Sequence, residues 1–276
     1  MTIHDHWKQL LSIAKSYNSK FRLAFLRAVH SIQDSVKRSK LEAAIDSGNV
    51  TLINSSLPWT DMEASLKIEF ERLLLNAAVE AGESGAGVIG SKFATDRYAR
   101  EWATQHAGEL VASLTTESRK AIKRTIINGL ENGIPTRQQI DSIVSSIGLT
   151  ERQAQSLENF RQGLISEGMR PGTIDKLVAK KQSVMLRERA AVIAGHEAQI
   201  AVNQGFKMAA EQAKNSGELP EDLECTWVVT PDDHLCELCR PLSGIRTPVG
   251  KNFSGGLWPP LHIQCRCAVA LAKKKE

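Results

Sequence analysis

Four cysteines and one histidine near the C-terminal end of this 276-residue chain stand at spacings that suit metal coordination. Cys236-Glu237-Leu238-Cys239 is answered by His262-Ile263-Gln264-Cys265-Arg266-Cys267. A C-x-x-C pair forms a tight turn that aims two sulfurs at one point. An H-x-x-C pair does the same with an imidazole and a sulfur. Zn2+ takes a closed tetrahedron of such ligands, with metal–sulfur bonds of about 2.3 Å and metal–nitrogen bonds of about 2.0–2.1 Å. The two half-sites supply one complete structural site: Cys236, Cys239, His262 and either Cys265 or Cys267. If residues 265–267 are extended, both sulfurs share a face, and spacing leaves the choice between them open. The fifth cysteine, Cys225, lies just upstream.

Two disulfides or free thiols are the competing uses. Such spacing reads as metal in a reducing compartment and as bridges in an oxidising one. Residues 1–10 place Asp5, Lys8 and two histidines ahead of any apolar run. That is not the pattern of an export signal, and it favours metal.

The same residues bear on catalysis. Cys236 or Cys265 with His262 could form a thiol–imidazole pair, but thiolates held by zinc are poor nucleophiles. An open catalytic zinc site needs a vacant fourth position, whereas five sulfur and imidazole donors describe a closed one. Asp232 and Asp233 are placed to orient His262 through its second ring nitrogen. His196-Glu197 begins like the H-E-x-x-H motif of zinc peptidases, but position 200 is Ile, so the second metal ligand is missing. A hydrogen bond from His196 or Glu197 to a neighbouring helix is the expected use of that pair. The alternative function is a metal-dependent hydrolase or toxin built on the Cys/His cluster.

The rest of the chain must position this cluster. Hydrophobic residues make up 42% and charged residues 24%, the balance of a globular protein, and aromatics only 5%. Ala, Leu and Ile dominate the apolar set, which favours helices. No apolar run approaches 18 residues, so no membrane span is expected. The net charge is +4. From residue 221 onward seven basic residues face seven acidic ones. A module that gripped phosphates would carry an excess of Lys and Arg, so the Cys/His region reads as a structural staple. Trp227, Phe253 and Trp258 then serve as a small core around the metal rather than as a platform for bases. The Lys273-Lys274-Lys275 tail reads as a solvated chain end.

The expected fold is mainly α, a multi-helix body with a small C-terminal α+β zinc-stapled domain. Residues 1–80 form a helical hairpin or arm, with Phe21, Phe25, Ala28, Val29 and Ile32 on one helix face and Met62, Leu66, Phe70, Leu73 and Leu74 on another. Ala81-Gly82-Glu83-Ser84-Gly85-Ala86-Gly87 is expected to break the helix as part of a linker over 81–92, since each glycine costs about 1 kcal/mol relative to Ala. Residues 93–220 form a helical domain. In it, Thr115 or Thr116 is expected to start a new helix, and Thr136/Gln139 and Thr150/Gln153 to form capping boxes. Pro171-Gly172 is expected to turn the chain ahead of a long last helix at roughly 183–214. Residues 221–276 form the Cys/His-rich domain.

Trp227, Asp233, Cys236-x-x-Cys239, Gly244 and Pro259-Pro260-x-His262-x-x-Cys265-Arg266-Cys267 together resemble the C-terminal signature of the phage head morphogenesis proteins, the minor capsid proteins similar to the F protein of phage Mu. Upstream, Leu114-Thr115-Thr116-Glu117-Ser118-Arg119, Gly133-x-Pro135-Thr136 and Gly148-Leu149-Thr150-Glu151-Arg152-Gln153-Ala154 are similar to the helical half of that family. Glu197 and Asn203-x-Gly205 fit its pattern, while Gly195-His196 stand where it usually shows Arg-Thr. The resemblance implies a minor head protein at or near the portal vertex, acting in head assembly and DNA packaging or delivery. It implies the portal protein, the major capsid protein or both as partners, contact with packaged DNA and several copies per head. The implied location is the virion head interior, after assembly in the host cytoplasm.

Overall fold

A computed structural model describes residues 6–95, 97–230 and 235–274. Eight helices precede a small sheet: α1 (His6–Ser35), α2 (Arg38–Asp46), α3 (Val50–Ser55), α4 (Trp59–Ile89), α5 (Arg97–Glu131), α6 (Thr136–Ser146), α7 (Glu151–Ser166) and α8 (Pro171–Asn215), then β1 (Leu223–Val228), β2 (Arg246–Pro248) and β3 (Ala268–Lys273). The architecture is mainly helical with a C-terminal three-stranded antiparallel sheet, in the order β2-β1-β3. No described helix is long and apolar enough to cross a membrane.

Two compact units interleave along the chain. One comprises Leu23–Glu69 and Ala107–Ala190. Its core takes the expected faces: Phe25, Val29 and Ile32 from α1, Met62 and Leu66 from α4, and Ile122 and Ile126 from α5 are buried. Thr150 caps α7 through a complete capping box with Gln153, as its spacing predicts. Before it, Gly148 turns at φ +80°, and a Cβ there would sit 2.6 Å from Val29 Cγ2, so only glycine fits. The Gly148 carbonyl accepts from Arg189 Nη1 at 2.7 Å, while Nη2 of the same guanidinium meets Glu117 at 2.5 Å.

The other unit comprises Met1–Arg22, Phe70–His106 and Ala191–Glu276, and it contains the sheet. The Phe21 and Phe70 rings meet edge to face at 5.8 Å. Gly205 on α8 packs directly on the backbone of α4, where a Cβ would come within 2.0 Å of the Ala78 carbonyl oxygen. In the sheet, β1 alternates: Leu223, Cys225 and Trp227 are buried, and the residues between them are half exposed. Trp227 meets Phe253 edge to face at 5.1 Å, and Phe253 lies 5.6 Å from Trp258. The three rings therefore form the small aromatic core the sequence suggests.

Several expected boundaries are corrected. The glycine-rich stretch is helical, and α4 runs through it to a turn at Gly90 (φ +83°). The reason is packing: a Cβ at Gly82 would meet the Phe93 ring at 2.7 Å, and one at Gly85 the Phe206 ring at 2.9 Å. Close packing offsets the glycine cost. Thr115 starts no helix. It lies buried inside a continuous α5, as does Ser118. The Thr136/Gln139 box does not form: Pro135 occupies the cap position, Thr136 Oγ1 donates to Asp46 Oδ1 at 3.0 Å, and Gln139 Nε2 donates to the Ile134 carbonyl. Pro171-Gly172 makes no separate turn but opens the 45-residue α8, since proline is tolerated where a helix's first N–H groups have no partner.

Candidate metal centre

The two half-sites fold as their spacing dictates. The Cys236 carbonyl accepts from the backbone N–H of Cys239 (3.2 Å) and Arg240 (3.0 Å), closing a turn that runs into the 3-10 turn Arg240–Leu242. The Cys239 N–H also points at Cys236 Sγ, 3.4 Å away. In the second half-site, Cys265 N–H donates to the His262 carbonyl at 3.0 Å. Gln264 takes φ +64°, a left-handed conformation that costs a side chain roughly 1–2 kcal/mol and bends the chain back toward the first turn.

The two turns meet. His262 Nε2 lies 2.9 Å from Cys236 Sγ and 3.2 Å from Cys239 Sγ, and Cys239 Sγ lies 3.7 Å from Cys265 Sγ. His262 Nδ1 donates to the Ile263 carbonyl at 2.8 Å. A carbonyl only accepts, so Nδ1 carries a proton, and Nε2 is the nitrogen that faces the sulfurs. Asp232 and Asp233, expected to orient the imidazole, lie outside the described residues.

Five candidate ligands fall into two triples that share Cys239. Cys236, Cys239 and His262 form one; Cys239, Cys265 and Cys267 form the other, with the ligand atoms of each within 4.8 Å of one another. All five candidate ligands line one pocket. A tetrahedral zinc site needs sulfur–sulfur edges of about 3.8 Å and sulfur–nitrogen edges of about 3.6 Å. The Cys239–Cys265 separation already matches, and the Cys236–His262 and Cys239–His262 separations need to widen by about 0.7 Å and about 0.4 Å. The donor set is soft, and no carboxylate lines the cavity among the described residues. The donor chemistry suits a soft metal ion; the two triples share only Cys239, so closing one tetrahedron would draw Cys265 toward Cys236 and His262. Cys225 belongs to neither triple; it is a core residue of β1, where burial, with Glu211 second, pushes its thiol up to about 12.

Electrostatics separates Cys265 from Cys267. The Cys267 side chain hydrogen-bonds Cys265 and brings that thiol down to about 5, against the opposing effect of burial. The same hydrogen bond, then burial, drives Cys267 well above the usual thiol range, against a smaller pull from the Trp227 indole. Burial is also the first cause that lifts Cys239 to about 12.

α8 holds the strand that leaves the cluster. Gln199 Nε2 (2.9 Å) and Asn203 Nδ2 (3.2 Å) both donate to the carbonyl of Cys267, the residue before β3. Neither was a candidate from spacing; the one signal was that Asn203-x-Gly205 fits the family pattern. Glu197 meets His106 Nε2 at 2.7 Å, and His106 stacks on Trp102 at 5.5 Å. The His-Glu pair thus acts through Glu197 as a link to α5, as expected. Lys273 pairs with Asp222 at 3.9 Å, and Lys275 lies outside the described residues.

No curated protein and no solved structure matches the chain. The family described as Phage Mu protein F like protein matches residues 120–270, more than half of the chain, and this span contains both half-sites. The chain belongs to that family, the phage head morphogenesis proteins similar to Mu F.

Proposed function

We propose that this protein is a minor structural component of a tailed-phage head, placed at or near the portal vertex and inside the capsid. In this reading it contacts the portal protein, the major capsid protein or both, and takes part in head assembly and in DNA packaging or delivery. Cys236, Cys239, His262 and Cys265 hold a zinc ion. Zinc there supplies a cross-link rather than reaction chemistry, because four protein donors leave no position for a substrate. The chain's own residues do the rest. The Ile263 carbonyl fixes the His262 tautomer, the Cys236 turn aims two sulfurs, and Gln199 with Asn203 ties the cluster to α8.

The observation that carries this reading is the meeting of the two half-sites, 2.9 Å apart at His262 and Cys236, within the span that belongs to the Mu F-like family. The even charge of residues 221–276 suits a domain that lies beside DNA without gripping it. Mass spectrometry of purified heads, with cross-linking to the portal, tests the assignment. The protein is expected in mature heads with cross-links to portal or capsid subunits, and its absence from heads overturns the reading. Elemental analysis is expected to find one zinc per chain, lost in Cys236→Ser.

A further inference from the structure

We propose that Cys239, Cys265 and Cys267 form an all-sulfur site for a soft monovalent cation, cuprous copper, distinct in its ligand set from the zinc site. It shares Cys239 and Cys265 with the zinc ligands, so the two ions compete, but it does not require that zinc binds.

The three sulfurs lie within 4.8 Å of one another, and Cys236 and His262 stand outside this triple. All three cysteines are only 2–3% exposed. Zinc closes a tetrahedron and would need a fourth ligand beyond this triad. Thiolates suit cuprous copper as they suit zinc, but a cuprous ion is satisfied by three. Hard cations are disfavoured because no carboxylate lines the cavity among the described residues. The site also gives Cys267 a use: a tetrahedral zinc site needs four of the five donors, and Cys267 is the one left over. Binding displaces the thiol protons, so it strengthens as pH rises.

The test uses the full-length reduced protein, titrated anaerobically with cuprous ion against a bicinchoninate competitor, with zinc measured in parallel. Cys267→Ser is expected to weaken cuprous binding by more than about tenfold while keeping one zinc per chain. His262→Ala is expected to do the reverse, losing zinc and keeping copper. Cuprous affinity unchanged in Cys267→Ser, or both ions lost together in both variants, overturns the proposal. X-ray absorption at the copper edge of the unsubstituted protein decides the matter if a variant does not fold. Three sulfur neighbours and no nitrogen support the site, and a nitrogen neighbour sinks it. Zinc absent from the unsubstituted protein while copper binds overturns the zinc reading alone.

Discussion

The side-chain amide of Asn203, in the C-terminal third of α8, donates to the main-chain carbonyl of Cys267, 3.2 Å away. A single peptide group thus ends the Cys/His cluster, begins β3 and docks on a helix. Asn203 is fully buried and its other hydrogen bond from Nδ2 goes to the Gln199 carbonyl at 3.0 Å. Asn203→Leu keeps the volume and removes one donor, while Gln199 still serves the Cys267 carbonyl. The expected loss is about 1 kcal/mol. Adding Gln199→Met strands that carbonyl in the interior, and the combined loss should reach about 3 kcal/mol. Urea denaturation of the two variants checks the step; equal losses would mean the second amide carries nothing.

Cys225 and Cys236 should respond oppositely to substitution. Cys225→Ala trims a buried core thiol next to Trp227 in β1 and is expected to lower stability by about 1 kcal/mol without changing zinc content. Cys236→Ser removes a ligand from a half-exposed turn, where side-chain packing matters less, and should abolish zinc binding. Elemental analysis of both proteins decides. Zinc lost in Cys225→Ala would place the ion elsewhere.

What the sequence makes legible here is local. The two ligand turns and the Thr150 capping box depend on residues three apart, and each forms as its spacing predicts. The buried faces of α1 and α4 follow from periodicity for the same reason. What stays hidden depends on partners far along the chain. The helix through Gly82 and Gly85 owes its continuity to Phe93 and Phe206. Thr115 looks like a helix start only while its burial is unknown. The amide clamp joins residues 199 and 203 to residue 267, a pairing that no local pattern encodes.

Glycines in α4 and α8 make a sharp contrast. Gly87 lies in the last turns of α4 with nothing within 4 Å of where a Cβ would stand. Gly87→Ala should stabilise the protein by about 0.5–1 kcal/mol, because alanine has less freedom to lose in a helix. A flexible linker would show no such gain. Gly205→Ala drives a methyl group onto the Ala78 carbonyl oxygen, so α4 and α8 must part. A loss of about 3 kcal/mol or more is expected. Thermal melts of the two variants should move in opposite directions, and a shared direction would refute the helical reading of residues 81–87.

His6 should make stability depend on pH. Its ring is 1% exposed, with Nε2 3.0 Å from Ser84 Oγ and the ring centre 5.4 Å from that of Phe206. Burial lowers its pKa from 6.5 to about 4. Above pH 6.5 the imidazole is neutral whether the chain is folded or not, and the full stability is present. As pH falls from 6.5 toward 4, the unfolded chain takes up a proton that the folded chain refuses, so stability falls across that window and levels off below it. Substituting His6→Phe removes this contribution. Urea midpoints measured between pH 4 and 7 should drop more steeply with falling pH for the unsubstituted protein than for the variant. Parallel curves would show that His6 is protonated in the folded state and that the buried ring is not the source of acid sensitivity.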